Sequence, residues 1–317
     1  MSYKKIKIPC NLCGGNDLKI LAVEDHIGQD ARTCICKKCG LIFINPRMND
    51  EFYKKYYGES LYREYKNIKR DSIDSKIVNS FNKGFRHGEA IADIFGKSLL
   101  PGLTIEIGSS SGGVLFGLHN KTGLEVLGIE PSKFESDYAN HRGIKTFCGL
   151  IEDVGEDFPI ASNIICSQSL NHFLDPKLFF RWIYNHLIDN GRIFIEVKNF
   201  RFQAKKAGSL ESAIQIDHSY MFLPEVLENF VKSAGFQILC IDDDEKKSIK
   251  SLNKQKAQMP ATHFRILAEK TKNKPFENII IRNNYIKNIF FLNNIYMKIC
   301  NVFYRLRKHF AVKFNMF

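Results

Sequence analysis

The sequence predicts an α/β protein in which a mostly parallel sheet is flanked by helices. Three observations carry this prediction. Short apolar runs alternate with amphipathic segments between residues 99 and 270, as in parallel strands joined by crossover helices. Two Cys-x-x-Cys pairs precede this region and predict a small metal-clasped unit. Lysine and arginine are concentrated after residue 270, which predicts a basic helical tail.

The chain divides by composition into four regions. Residues 1–45 are rich in cysteine, and residues 46–98 have the spacing of a helical connector. Residues 99–270 form the predicted α/β domain, and residues 271–317 form the basic tail. A length of 317 residues is enough for one full domain with accessory pieces.

The overall composition, with 44% hydrophobic and 25% charged residues, is typical of a soluble globular protein. No run reaches the roughly 18 uninterrupted apolar residues of a membrane-spanning helix. The first residues are polar and basic rather than apolar, so we expect no secretory signal and a cytoplasmic location. The net charge of +12 suggests nucleic acid as a partner, but most of the excess lies in the tail. A nearly neutral body disfavours that partner.

Four cysteines form the two Cys-x-x-Cys pairs: Cys10, Cys13, Cys36 and Cys39. A glycine, Gly14 or Gly40, follows each pair and allows the tight turn that aims both sulfurs at one ion. Four thiolates in this arrangement suit a closed, tetrahedral and therefore structural zinc site. Cys34 is the spare, because its spacing suits the site less well.

Seven strands are expected in the α/β domain, and the last is expected to enter the sheet antiparallel because no helix is evident before it. The predicted strands are 103–107, 125–130, 143–147, 162–166, 191–197, 236–241 and 263–268. The predicted helices are 113–120, one opening at Pro131-Ser132, 176–187 and 224–233.

The turn after the first of these strands carries the main functional signal. It reads Glu106-Ile107-Gly108-Ser109-Ser110-Ser111-Gly112 and leads into a helix. Gly108 permits a tight turn, and the amides at the helix start favour a carboxylate or another anion. Glu130 ends the next strand, where a carboxylate can accept hydrogen bonds from both hydroxyls of a ribose.

From Leu103 to about Lys270 the chain resembles the class I S-adenosylmethionine-dependent methyltransferases, whose Rossmann-like sheet is then expected here. The resemblance rests on a series of motifs in the family's order. They are Glu106–Gly112, Gly128–Ser132, Ser167–Pro176, Leu187–Val197, His218–Glu225 and Ala234–Phe236. One departure is Ser110, which stands where the family usually has glycine. The cysteine unit resembles the zinc-ribbon leader of some bacterial methyltransferases of sugar and surface-glycan pathways.

The resemblance implies a set of residues that bind S-adenosylmethionine. The loop would face the methionine end, Glu130 and Pro131 the ribose, and Leu150 and Ile151 the adenine, with Glu152 or Asp153 near its amino group. Ser167 and Gln168 would border the methyl donor. The full predicted cofactor set is Glu106, Gly108, Ser109, Ser110, Gly112, Glu130, Pro131, Leu150, Ile151, Ser167 and Gln168.

Methyl transfer to a hydroxyl needs a base that removes the acceptor proton. His172 and His218 are the candidates, because histidine titrates nearest neutral pH. Glu196 and Lys198 are further candidates for acceptor contacts. The sequence does not choose between the two histidines.

The acceptor itself stays open between three hypotheses. The first is a small-molecule or glycan hydroxyl. The second is ribosomal or transfer RNA, since zinc leaders also occur on some RNA methyltransferases. The third is a non-catalytic binding protein that retains the fold. The tail, with Lys298 on one helical stripe and Ile299 and Phe303 elsewhere, is predicted either to contact a membrane surface or to pack on the body.

Overall fold

The computed structural model describes residues 4–58, 73–155, 157–243, 259, 262–281, 285–293, 295–303 and 306. The strands are β1 Lys5–Ile6, β2 Leu18–Glu24, β3 Asp30–Cys36, β4 Ile42–Ile44, β5 Arg47–Met48, β6 Leu103–Ile107, β7 Glu125–Glu130, β8 Thr146–Cys148, β9 Ala161–Ser167, β10 Leu187–Lys198, β11 Tyr220–Met221, β12 Phe236–Asp243 and β13 His263–Lys270. The helices are α1 Asp50–Gly58, α2 Ile73–Phe95, α3 Gly113–Thr122, α4 Lys133–His141, α5 Pro176–Asn185, α6 Phe200–Ala207, α7 Pro224–Ser233 and α8 Tyr285–Phe291.

A seven-stranded sheet in the order β12-β13-β10-β9-β6-β7-β8 forms the centre of the molecule. β8, β7, β6, β9 and β10 are parallel neighbours. β13 runs antiparallel to both β10 and β12, as expected for a strand without a preceding crossover helix. The predicted Rossmann-like α/β fold is therefore confirmed. The carboxyl ends of β6, β7, β9 and β10 meet at one edge, where ligands bind in such sheets.

Predicted boundaries are wrong at two places near this sheet. The third strand was expected at 143–147 but begins at Thr146, because the amide of Ile144 donates to the carbonyl of Ala139 and completes the turn that ends α4. The helix expected at 176–187 ends at Asn185, and the strand expected at 191–197 begins at Leu187, which pairs with Ala161 in the sheet. In both places pairing with neighbouring backbone overrides the local pattern.

The N-terminal unit forms a four-stranded antiparallel sheet in the order β11-β4-β3-β2. Its fourth strand, β11, comes from residues 220–221, far along the chain. β5, inside the predicted helical connector, pairs with β1. Cys36 and Phe43 of this unit belong to the same buried apolar cluster as Ile195 of the central sheet. The unit therefore packs as part of the body.

Helix α2 crosses α3 at very short range. A Cβ added at Gly88 would lie 2.0 Å from the carbonyl oxygen of Val114, and one added at Gly117 would lie 2.1 Å from that of Phe85. Gly84 and Gly113 face each other in the same way. Two glycines four residues apart on each helix thus allow backbone contact. This contact brings the middle of α2 to the ligand edge of the sheet.

The tail is helical in two segments rather than one. α8 ends at Phe291, and residues 295–303 are helical again. Leu292, between the segments, is buried in the main apolar cluster. Among the described residues, no helix combines the length and apolarity needed to cross a bilayer.

Candidate cofactor and acceptor site

The loop after β6 has the tight geometry that its sequence predicts. Gly108 adopts a φ of +75°, and its amide donates to the carbonyl of Ile129 at 2.8 Å. A Cβ at Gly108 would lie 2.4 Å from Oγ of Ser169, so only glycine fits between the two strand ends. Gly112 also has a positive φ, but its neighbours are Ala139 and Ile144 behind the loop. Gly112 therefore shapes the loop rather than lining the cavities described below.

Ser110, the departure from the family pattern, takes a left-handed φ of +49°. Its amide donates to Oε2 of Glu130 at 2.9 Å, and its hydroxyl donates to the carboxylate of Glu135. A left-handed serine costs energy that glycine would not. The two hydrogen bonds offset this cost and tie the loop to the end of β7 and to the first turn of α4.

Glu130 ends β7, where the sequence predicts it, and its side chain is buried. Its Oε1 accepts from the amide of Ser132 at 2.9 Å, and its Oε2 accepts from Ser110. Burial and the nearby charge of Glu135 outweigh these hydrogen bonds and raise the pKa of Glu130 to about 7. Each carboxylate oxygen retains a lone pair for a further donor.

Glu106 provides a buried acceptor without a partner. The side chain is 1% exposed, and within the described part of the chain its Oε2 has no hydrogen-bond donor. Burial, together with the charges of Glu130 and Glu196, raises the pKa of Glu106 well above its usual range. A buried carboxyl oxygen of this kind fits a ligand that brings a donor or a positive charge.

Two cavities meet at this edge of the sheet. The smaller, about 480 Å³, lies between α2 and the loop and includes Glu106 and Ser167. The larger, about 1080 Å³, runs past Glu130 and Pro131 to Leu150, Ile151, Glu152 and Asp153. Both are lined by Gly108, Ser110 and Gln168. Ser109 lines the smaller cavity. The predicted cofactor residues other than Gly112 thus line one continuous path.

Helix α2 adds residues to the smaller cavity that the sequence did not reveal. Lys83, Arg86 and His87 line it beside the loop. The sequence does contain one signal for them. Each of α2 and α3 has two glycines four residues apart, a spacing that indicates close contact between the helices. Three residues that bear or can acquire positive charge thus stand near the helix start that favours a carboxylate.

Gln168 is held by a buried polar cluster made of Glu196, His87 and Arg265. The side-chain amide of Gln168 donates to Oε1 of Glu196 at 2.7 Å, and Nε2 of His87 lies 3.1 Å from the same oxygen. Nε of Arg265 donates to Oε2 of Glu196 at 2.6 Å. Burial raises the pKa of Glu196, but His87 and Arg265 outweigh it and hold the pKa at about 2. Glu196, a candidate for acceptor contacts, is instead a buried anion that positions Gln168.

The two candidate bases lie side by side. The ring centroids of His172 and His218 are 4.8 Å apart, edge to face. Nδ1 of His172 lies 2.9 Å from the backbone carbonyl of Asp217, and Nζ of Lys198 lies 3.5 Å from Nε2 of His218. His172 lines the larger cavity, whereas His218 is buried behind it.

The four predicted zinc ligands converge. The sulfurs of Cys10 and Cys39 are 3.3 Å apart, and those of Cys13 and Cys36 are 3.5 Å apart. Tetrahedral zinc with Zn–S bonds of about 2.3 Å needs sulfurs about 3.8 Å apart, so the set fits that ion. Both glycines form the predicted tight turns. The amide of Gly14 donates to the carbonyl of Cys10 at 2.8 Å, and that of Gly40 donates to the carbonyl of Cys36 at 2.9 Å.

Cys34 lies outside the cluster of four sulfurs. Its sulfur is directed at the backbone carbonyl of Asn45, 3.6 Å away. The spare cysteine thus has a separate, buried position.

Comparison with known proteins agrees with this geometry. Residues 85–241 match a family model described as a methyltransferase domain. The plantazolicin methyltransferase BpumL, solved in complex with SAH, is 16% identical, with 69% of this chain and 94% of that chain covered and a TM-score of 0.51. An S-adenosylmethionine-dependent methyltransferase from Mesorhizobium loti is 13% identical, covering 57% of this chain and 98% of that one with a TM-score of 0.46. A search of the curated proteins found no match. The matched domain and the strand order together show that this chain contains an S-adenosylmethionine-dependent methyltransferase domain with the class I fold.

Proposed function

We propose that this methyltransferase acts on a hydroxyl group of a sugar or glycan intermediate. The observation that carries the proposal is the lining of the larger cavity. It continues from the cofactor residues to a wall made by the N-terminal unit, where Arg47, Tyr53 and Tyr220 line it. Polar groups interspersed with aromatic rings suit a hydroxyl-rich acceptor, which needs hydrogen bonds and flat apolar surfaces.

The cofactor would lie along the path shared by the two cavities. Glu106 would accept from the ammonium group of the methionine end, which supplies the missing donor. Glu130 would accept from the ribose hydroxyls, and Leu150 and Ile151 would flank the adenine. When bound, S-adenosylmethionine supplies a methyl group on a positively charged sulfur, and the protein must hold an acceptor oxygen in line with it.

His172 is the better-placed base. It lines the cavity, and its Nδ1, which faces the carbonyl of Asp217, would carry the proton, leaving Nε2 to accept the proton of an acceptor hydroxyl. His218 would act as a positioning residue, because its ring packs against His172 from behind.

The charge of the larger cavity argues against RNA as acceptor. Away from the residues assigned to the cofactor, and from Glu135, which is bonded to Ser110 among them, its three carboxylates Asp50, Asp175 and Asp217 balance the three cations Arg47, Lys54 and Lys177. A polyphosphate backbone needs an excess of positive charge. A neutral or weakly charged acceptor is therefore favoured, acting in the cytoplasm with a structural zinc ion held by the four cysteines.

Cofactor affinity should depend on the charge of Glu130. The ionised carboxylate accepts from both ribose hydroxyls, so affinity for S-adenosylmethionine should rise as pH increases from about 6 to about 8, through the raised pKa of Glu130. Glu130→Gln should weaken binding by roughly 1–3 kcal/mol and remove this part of the pH dependence. Isothermal titration calorimetry at several pH values measures both effects.

Glu125→Gln is the matched control, because Glu125 begins the same strand and is exposed. It should bind the cofactor like the wild type at every pH. Equal affinity of the Glu130 variant and the wild type would remove the ribose assignment, and no binding by the wild type at millimolar cofactor would favour a non-catalytic protein.

The acceptor is tested with methyl-labelled S-adenosylmethionine, offered with a panel of nucleotide-linked and lipid-linked sugars and, separately, with total RNA. Label should pass to a sugar oxygen. On that acceptor His172→Asn should lower kcat by about 10²–10⁴-fold with cofactor affinity unchanged, and His218→Asn should lower it less. His119→Asn, at an exposed position, is the control. Label in RNA, or full activity of His172→Asn, would contradict the proposal.

A further inference from the structure

The second helical segment of the tail exposes a row of large apolar side chains. They recur at spacings of three and four residues or adjacent to one another, so they share one helical face. Their exposed fractions are 71% for Ile295, 51% for Ile299, 57% for Val302, 60% for Phe303 and 48% for Leu306. An apolar face of this density is unusual on a surface unless it has a partner.

The opposite face of the same segment is fixed to the body. Met297 is fully buried, and Asn301 is 8% exposed with its side-chain amide donating to the backbone carbonyl of Lys206 at the end of α6. A Cβ on Gly208 would lie 3.2 Å from Nδ2 of Asn301, so this contact is close. The segment therefore cannot turn its apolar face inward without losing these contacts.

The preceding helix is also held in place by the body. The ring of Phe291, at the end of α8, contacts two cations. Its centroid lies 5.0 Å from the guanidinium carbon of Arg201 and 5.5 Å from Nζ of Lys205. Asn288 is fully buried and accepts from Arg201 at 3.3 Å. Of the two alternatives for the tail, packing on the body thus applies to the first segment.

The charge around the exposed face indicates what covers it. Residues 270–317 contain ten lysine or arginine residues and a single acid, Glu277. Lys298, within the segment, and Lys206, beside Asn301, are both exposed. Two copies of so basic a segment would repel each other if they met face to face. A partner with an apolar interior and an anionic surface would match both the exposed apolar face and the basic residues around it.

We propose that the face formed by Ile295, Ile299, Val302, Phe303 and Leu306 lies in the surface of an anionic phospholipid bilayer. The apolar side chains enter the boundary between headgroups and acyl chains, and the lysines and arginines contact the lipid phosphates. This binding does not depend on the acceptor proposed above.

Vesicle flotation with the full chain tests the proposal. The wild type should float with vesicles containing about 30% phosphatidylglycerol in phosphatidylcholine, and should bind pure phosphatidylcholine at least about tenfold more weakly. Raising the salt from about 0.1 to about 0.5 M should weaken binding to the anionic vesicles. Ile299→Glu/Phe303→Glu should lose it, and the milder Ile299→Ser/Phe303→Ser should reduce it.

Ile20→Glu/Val23→Glu is the matched control, because these residues are apolar and each 53% exposed on β2. It should bind vesicles like the wild type, and all variants should bind S-adenosylmethionine normally, which shows that they are folded. Wild-type binding that the tail variants retain, or absence of wild-type binding to anionic vesicles, would overturn the proposal. So would a wild-type dimer in analytical ultracentrifugation that the tail variants convert to a monomer, since a second copy would then cover the face.

Discussion

Cys39→Ser is expected to abolish the predicted zinc binding and to destabilise the N-terminal unit together with the wall of the larger cavity. Zinc in such sites contributes roughly 10 kcal/mol or more to folding of the segment it holds. Cys39 is fully buried in the apolar cluster that joins the unit to the central sheet, so the loss should spread beyond the metal site. Elemental mass spectrometry should find about one zinc per wild-type chain and little in the variant after dialysis.

Cys34→Ser provides a matched control for this experiment. The same substitution is made at a buried cysteine two positions from Cys36, but the sulfur faces a carbonyl outside the cluster. This variant should keep its zinc and most of its thermal stability. If both variants retain zinc equally, the four cysteines do not form the site. If neither they nor the wild type contain zinc when it is supplied, the metal assignment fails as a whole.

Arg265→Met is expected to lower the free energy of unfolding by about 3–5 kcal/mol, because it leaves the Glu196 carboxylate buried without its arginine partner. Both side chains are at most 1% exposed, and the pKa of Glu196 at about 2 shows how firmly its surroundings hold the ionised form. Urea unfolding followed by the fluorescence of Trp182, the single tryptophan, measures the change.

The double variant Glu196→Gln/Arg265→Met should recover part of this loss, since the buried charge of Glu196 is removed together with that of Arg265. Asp242, which is partly buried, still loses its ion pair with Arg265. Lys133→Met is the surface control. It removes an exposed ion pair with Asp137, which water screens, and should change stability little. If Arg265→Met lowers the free energy of unfolding no more than Lys133→Met does, the buried pair contributes little to stability. Another interaction would then have to position Gln168.

That the predicted cofactor residues lie together could be foreseen, because their positions follow from local rules. A strand ending in Gly108 and a strand ending in Glu130 place their loops at one edge of a parallel sheet, whatever the rest of the chain does. The cysteine spacing is equally local, since each pair with its glycine forms its own turn. Where prediction failed nearby, at Gly143 and Leu187, the competing interaction was backbone pairing with a neighbouring element.

The acceptor half could not be predicted in the same way, because it is assembled from distant segments. Tyr220 lies against the N-terminal unit because β11 pairs with β4. The sequence pattern of neither segment predicts that pairing. His87 reaches Glu196 only because glycines let α2 approach α3. The order of His172 in front of His218 depends on how two loops pack.

The sequence by itself therefore determined the fold class, the cofactor edge and the cysteine cluster, each of which arises from contacts within a short span or from the general geometry of parallel sheets. The tertiary structure decided which histidine faces the cavity, which residues form the acceptor wall and the division of the tail into a packed and an exposed segment. Those features depend on contacts between residues far apart in the chain, whose energies are set by close packing rather than by local pattern.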